Sequence, residues 1–254
     1  YKITALVRRN ENPEKNIKNV NYLNKDIEEI NKKFFSENKF DIIYHFAWSN
    51  YKDVQSQHHL KSELQKQKIF LKKIAQSDIE KIFISGSGFE YGPKEGKLSE
   101  TLIVNPNTPY AIAKNNLYNY IKNQFGKNQV LIWGRIFNIF GRNHHKKSLF
   151  GLIDSAIKNN DKIFKMTDGL QKRDYLFIDD LITKIIKLVN NCNKSGIYNI
   201  GKGKSENLKT IVNTYLKKNK YDIKIIYGAK NKKIYEPEEI YADTKKMVSF
   251  LNYE

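Results

Sequence analysis

Four short apolar runs constrain this chain most: residues 2–7 (KITALV), 41–48 (DIIYHFAW), 81–85 (KIFIS) and 129–133 (QVLIW). Each reads as a strand, and the second and third have the near-continuous apolar character of strands buried on both faces. Helical stretches separate them, at 25–38, at 51–76, and from Pro109, where proline suits a first helical turn. Strands alternating with helices in this way predict an α/β protein with a doubly wound parallel sheet. In such sheets ligands bind beyond the carboxyl ends of the strands. The residues that follow the runs are Arg8 and Arg9, then Ala47 and Trp48, then 85–87 (Ser-Gly-Ser), then 135–138 (RIFN). After residue 140 the pattern loosens, as expected of a smaller region covering a substrate, and 196–203 (GIYNIGKG) reads as a further strand and turn. The predicted division is a larger domain over 1–140 and 172–192, and an interleaved smaller region over 141–171 and 193–254.

Charge narrows the function. The chain has 45 Lys+Arg against 27 Asp+Glu, a net charge of +18, but only five of the basic residues are arginines. The lysines are spread along the chain, solvating faces without specifying a partner, and no aromatic–basic or zinc-finger signature accompanies them. Nucleic acid is therefore not an expected partner. A single cysteine, Cys192, excludes a disulfide framework and a thiolate zinc site, and no metal is expected. No apolar stretch approaches the ~18 residues of a membrane span. In a chain that defaults to lysine, each arginine draws notice for its planar grip on phosphate or carboxylate.

Tyr110 and Lys114 lie at i and i+4 in PYAIAK and so share a helix face. An ammonium beside a phenol favours phenolate and lowers the tyrosine pKa, which suits proton exchange with a carbonyl or alcohol oxygen. A hydroxyl such as that of Ser87 can orient the same oxygen.

At this point a family comes into view. The chain resembles the extended short-chain dehydrogenase/reductases that act on nucleotide sugars. The matching pieces are DIIYHFAW (41–48), ISGSGFEYG (84–92), NPNTPYAIAK (105–114), RIFNIFG (135–141), QKRDYLFIDDL (171–181) and GIYNIGKG (196–203). The resemblance implies a Rossmann-like fold and a catalytic triad of Ser87, Tyr110 and Lys114. Tyr110 would exchange the proton, Lys114 would hold the nicotinamide ribose and lower the Tyr110 pKa, and Ser87 would bond the substrate oxygen. The family opens on a strand and a glycine-rich turn that cradles the pyrophosphate. Neither occurs in these 254 residues, and Tyr1 falls where the second strand would begin. The expectation is that roughly 25 to 30 residues precede it, by the motif spacing.

The end of the second strand of this fold meets the adenosine ribose, where an acid favours NAD and arginine accommodates a 2′-phosphate. Arg8 and Arg9 stand there, so NADP(H) is expected over NAD(H). Asp26 and Ile27 resemble the family's adenine-contacting pair. Phe46, Ala47, Trp48 and Ser85 would line the cofactor groove with Tyr110 and Lys114, and Phe137 would lie near the nicotinamide.

The choice of reaction follows from departures within the family. Dehydratases resemble one another in having Asp-Glu directly after the small hydroxyl residue; here Gly88 and Phe89 follow Ser87, and Glu90 is one place too far. The 3,5-epimerase/reductases pair Cys with His, but Phe89 holds the Cys position, and His144 and His145 are displaced from the His. What remains is hydride transfer at one carbon. The motifs look most like reductases of nucleotide-linked 4-keto-6-deoxy sugars, such as CDP-abequose synthase and dTDP-fucose synthase. The expectation is therefore an NADPH-dependent 4-ketoreductase of surface-polysaccharide synthesis, with an NAD-dependent nucleotide-sugar 4-epimerase as the alternative. A non-catalytic NADP sensor is a second alternative, disfavoured because the Tyr/Lys pair is kept. Asn138 and Arg173 would contact the sugar nucleotide, Arg173 at a phosphate, whereas Arg135 and Arg142 are open between substrate-side and structural roles. A cytoplasmic homodimer built on helices within 51–76 and 109–124 is implied by the resemblance.

Overall fold

The four runs become parallel strands. The computed structural model describes residues 1–8, 17–141, 146–231 and 237–251. Its first part runs β1 (Ile3–Val7), β2 (Val20–Asn24), α1 (Lys32–Glu37), β3 (Ile42–His45), α2 (Leu64–Ala75), β4 (Lys81–Ser87), β5 (Gly96–Leu98), α3 (Pro109–Ile121), β6 (Val130–Ile136) and β7 (Asn138–Phe140). Its second part runs α4 (Leu149–Lys158), β8 (Ile163–Lys165), β9 (Lys172–Arg173), β10 (Tyr175–Phe177), α5 (Ile178–Asn191), β11 (Gly196–Ile200), β12 (Glu206–Asn207), α6 (Leu208–Asn219), β13 (Lys224–Ile226), β14 (Glu239–Ala242) and α7 (Lys245–Val248).

The main sheet has the order β11-β6-β4-β3 and is parallel throughout. Side chains alternate across it as the pleat requires. Ile82 and Ile84 of β4 join Leu131 and Trp133 of β6 in a core closed by Leu71 and Ile74 of α2 and Leu117 of α3. Phe83 and Ile132, between them, enter the opposite core with Leu181 and Leu188 of α5 and with Tyr198. Helices therefore cover both faces, which is why β4 and β6 read as unbroken apolar runs. This is a Rossmann-like α/β fold.

Three local expectations change. The run 41–48 is not buried on both faces: β3 is the edge strand of the four-stranded sheet, Tyr44 is 38% exposed, and Phe46 beyond the strand is 53% exposed. The stretch 25–38 breaks in two because it contains two capping residues. Asp26 caps a short 3-10 turn (Ile27–Glu29), Ile30 is extended, and Asn31 caps α1 by accepting from Phe34 N. Of residues 51–76 only Leu64–Ala75 make a regular α-helix; His59–Glu63 is a wider π turn ahead of it.

The remaining strands make a mixed sheet, β12-β9-β14-β5, and two parallel pairs, β13-β8 and β10-β7. A separate core of Phe150, Ile153, Val212 and Tyr215 lies between α4 and α6. β11 falls inside the segment 193–254 that the sequence division gave to the smaller region. It pairs instead with β6 in the main sheet, because its buried Tyr198 and Ile200 complete the α5-side core. β1 and β2 pair with each other, and among the described residues no hydrogen-bonded strand joins them to β3.

Candidate active site

Because the strands of the main sheet are parallel, their carboxyl ends share one edge, and β4 ends there at Ser87. Ser87 is also the cap of the 3-10 turn Gly88–Tyr91: its hydroxyl accepts from Phe89 N at 3.2 Å, and its own N–H donates to Glu90 Oε1 at 2.8 Å. α3 starts on the same side. Thr108 caps it by accepting from Ala111 N at 3.2 Å, and Pro109 sets the first turn. Tyr110 and Lys114 thereby come one turn apart on the face that meets β4, and Tyr110 N donates to the Val54 carbonyl at 3.1 Å. The Ser87 side chain faces the Tyr110 hydroxyl and favours its phenolate.

Lys114 is 2% exposed. Its ammonium donates to the Ser85 carbonyl at 2.7 Å and lies 4.0 Å from the Trp48 ring centre and 5.8 Å from that of Tyr110. Burial pulls its pKa down to about 7, against the opposing charges of Glu90 and Glu63. Tyr110 is held edge-on to Trp48, at 5.9 Å between ring centres, and to His59, at 5.2 Å. Burial first, and the Glu90 charge second, push its pKa well above the usual tyrosine range, and the Ser87 side chain works against them. This differs from the expected lowering by Lys114. The ammonium is aimed at a carbonyl and an indole face, and a lysine with a pKa about 7 carries only part of its charge near neutrality.

The other expected residues sit on several elements. Trp48 is buried, donates Nε1–H to His59 Nδ1 at 3.1 Å, and its carbonyl accepts from Arg8 Nη2 at 3.2 Å. The Ala47 carbonyl accepts from Gln67 Nε2 at 2.9 Å. Phe46 stays exposed, tilted against Phe83 at 5.5 Å. Asp26 spends its carboxylate on the cap described above, and Ile27 packs on the α2-side core. Phe137 is buried with Tyr91, Leu98 and Ala242. Asn138 Nδ2 donates to the Asp174 carbonyl at 3.2 Å, and Arg173 Nη1 donates to the Lys172 carbonyl at 2.8 Å. Arg9, Arg142, His144 and His145 lie outside the described residues. Among the described residues no cluster of His, Cys, Asp and Glu could hold a metal ion, and no helix is long and apolar enough to cross a membrane.

Residues 1–201 match the NAD dependent epimerase/dehydratase family. The chain belongs to this family. Among curated relatives it is 28% identical over 251 residues to the putative UDP-arabinose 4-epimerase 2 of Arabidopsis thaliana, covering 87% of this chain and 59% of that protein. It therefore spans about three fifths of that relative's length. It is also 27% identical over 190 residues to the dTDP-6-deoxy-L-talose 4-dehydrogenase (NAD(+)) of Aggregatibacter actinomycetemcomitans, covering 74% of this chain and 70% of that one. The fold is that of the UDP-N-acetylglucosamine 4-epimerase from Methanobrevibacter ruminantium M1, solved with UDP-N-acetylmuramic acid. The TM-score is 0.84 at 19% identity, over all of this chain and 84% of the other.

For a member of the epimerase/dehydratase family, the residues at this edge suit the nicotinamide–ribose end of a dinucleotide. Exposed Phe46 follows the end of β3, and Lys114 of α3 reaches the end of the neighbouring β4 by donating to the Ser85 carbonyl. Sequence reasoning missed two members of this site. His59 and Glu63 arrive through the π turn, where Glu63 accepts from Ser49 N at 3.0 Å and from Gln67 Nε2 at 2.8 Å. Arg135 was left open between two roles; it is 2% exposed and ion-paired to Glu90 at 2.9 Å, which makes it part of the core beneath Ser87. The one available signal was the persistence of arginine in a lysine-rich chain.

Proposed function

We propose that this protein catalyses reversible oxidation and reduction at C4 of a nucleotide-linked sugar, as a nucleotide-sugar 4-epimerase using NAD. The convergence of Ser87, Tyr110 and Lys114 at the end of β4 carries the reading. The family assignment supports it, and the similarity to UDP-arabinose 4-epimerases supports epimerisation over the net 4-ketoreduction expected from the motifs.

A bound nicotinamide dinucleotide supplies the acceptor, and then the donor, of the hydride exchanged at C4. Tyr110 takes the C4 hydroxyl proton as that carbon becomes a ketone, and gives it back when the carbon is reduced from the opposite face of the sugar. Ser87 hydrogen-bonds the same oxygen and holds it against Tyr110. Lys114 in its charged form stabilises the phenolate. Lys114 and Ser85 would meet the ribose, with Phe46, Ala47, Trp48 and Phe137 along the groove and Asp26 and Ile27 toward the adenine. Asn138 and Arg173 would meet the sugar nucleotide. In this proposal residues 1–140 and 172–192 with β11 hold the dinucleotide, the rest of the chain closes over the sugar, and α2 and α3 form a homodimer face.

Incubation with NAD and a panel of UDP-linked pentoses and hexoses, followed by proton NMR of the anomeric region, tests this. Redistribution between C4 epimers is expected, and its absence with every sugar overturns it. The NADPH-dependent 4-ketoreductase remains the second reading, favoured by Arg8 at the end of β1 and by the similarity to a 4-dehydrogenase of a dTDP-deoxysugar. Loss of NADPH absorbance with a nucleotide-linked 4-keto-6-deoxy sugar would select it.

A further inference from the structure

Glu90 takes no part in the proposed proton transfers, yet it is fully buried directly behind the groups that do. Its Oε1 accepts from Ser87 N at 2.8 Å and from Trp133 Nε1 at 3.0 Å; its Oε2 accepts from Arg135 Nε at 2.9 Å. The Arg135 guanidinium lies 4.6 Å over the Tyr91 ring, whose hydroxyl donates to Asn199 Oδ1 at 2.7 Å, and among the described residues Arg135 Nη1 has no hydrogen-bond partner.

A buried ion pair is a weak source of stability compared with apolar residues of similar volume. One with an unsatisfied nitrogen, set against Trp133 and the Tyr91 ring, is costlier still. Its contacts with the site supply the reason for it. The carboxylate and the Ser87 hydroxyl make a reciprocal cap, so Ser87 is held from both its backbone and its side chain. The strand end is packed onto the pair so closely that a Cβ at Gly86 would fall 2.7 Å from Glu90 Oε1 and 2.3 Å from Trp133 Nε1. The groups facing the Tyr110 phenol are the Ser87 hydroxyl, the His59 ring, Lys114 on its own helix and Glu90, with Arg135 beyond Glu90.

We propose that Glu90 is a positioning residue: clamped by Arg135 and Trp133, its carboxylate fixes Ser87 at the end of β4 and keeps a negative charge behind Tyr110. The inference rests on the roles given above to Ser87 and Tyr110. A fixed negative charge favours the protonated phenol, so the base form of Tyr110 is reached at higher pH than it would be without Glu90.

The test compares Glu90→Gln, and the double variant Glu90→Met with Arg135→Met, with the wild-type protein. In Glu90→Gln, kcat is expected to fall about 10- to 100-fold with KM changed less than about threefold, the signature of a misplaced group. The limb of the pH profile that reports Tyr110 moves to lower pH. By NMR, the Ser87 amide proton moves upfield and the labelled Tyr110 ring carbon titrates earlier. Glutamine keeps one acceptor oxygen but sets an NH2 donor against Arg135 Nε, whereas the double variant, which melts as the wild type does, removes the Ser87 N–H acceptor altogether and shows the larger kcat loss. A folded Glu90→Gln protein with wild-type kcat, pH limb and Ser87 amide overturns the proposal. If neither variant folds, Arg135→Lys, which keeps both charges but not the Nε donor of the clamp, is read by kcat and the Ser87 amide proton, with the Tyr110 limb expected to stay in place; a wild-type kcat and amide overturn the proposal. Should the wild-type protein turn over no nucleotide sugar, the functional reading fails, and the two NMR signals still decide the role of Glu90.

Discussion

The Lys114 ammonium lies 4.0 Å from the centre of the Trp48 ring while it donates to the Ser85 carbonyl at 2.7 Å. Two weak partners thus hold a lysine that is 2% exposed. Trp48 in turn depends on His59, itself fully buried, through a 3.1 Å hydrogen bond. Trp48→Phe keeps an aromatic face for the ammonium but leaves His59 Nδ1 without its donor. A loss of about 1–3 kcal/mol in urea unfolding is expected, and a change below the error of that measurement would mean the indole N–H contributes nothing.

Tyr110→Phe deletes the phenol and keeps the ring packed between Trp48 and His59. Turnover is expected to fall by about 10²- to 10⁴-fold while thermal unfolding changes little. Full activity in steady-state assays would exclude Tyr110 as the proton-exchanging group; a sensor without catalysis would show no dependence on it.

His45 is 6% exposed, and burial lowers its pKa from 6.5 to about 4, with the nearby Lys114 charge adding to the effect and the hydrogen bond to Gln67 opposing it. Between those values the unfolded chain binds a proton that the folded chain does not, so stability falls as pH drops from 6.5 toward 4. The loss amounts to about 3 kcal/mol when complete. Denaturation midpoints taken across pH 4 to 7 should show this slope, and His45→Asn should flatten it.

Gly92 has φ +73°, and a Cβ there would sit 1.8 Å from the Asn105 carbonyl oxygen. Gly92→Ala is therefore expected to cost more than about 1 kcal/mol and to displace the loop that leads into α3. Calorimetry on the purified variant decides it; an unchanged midpoint would contradict this crossing of the two segments.

Leu117 is fully buried between α3 and the main sheet, one turn beyond Lys114. Leu117→Ala should cost about 2–5 kcal/mol by transfer and cavity terms together. Chemical denaturation gives the number, and a cost below about 1 kcal/mol would mean that α3 is not seated on the sheet as described.

Periodicity and composition alone reached the alternating α/β order, the strand ends where polar residues collect, and the pairing of Tyr110 with Lys114. These depend on short-range geometry: the pleat of β4, the helical spacing in PYAIAK, and the capping of α3 by Thr108. The exposure of Phe46, the place of β11 in the main sheet and the burial of Arg135 depend on which strands become neighbours, and no local pattern encodes that. The ionisation of Tyr110 and Lys114 was decided by the fold as well. Spacing brings an ammonium near a phenol, but only burial, and a carboxylate delivered from another segment, determine which form each group prefers.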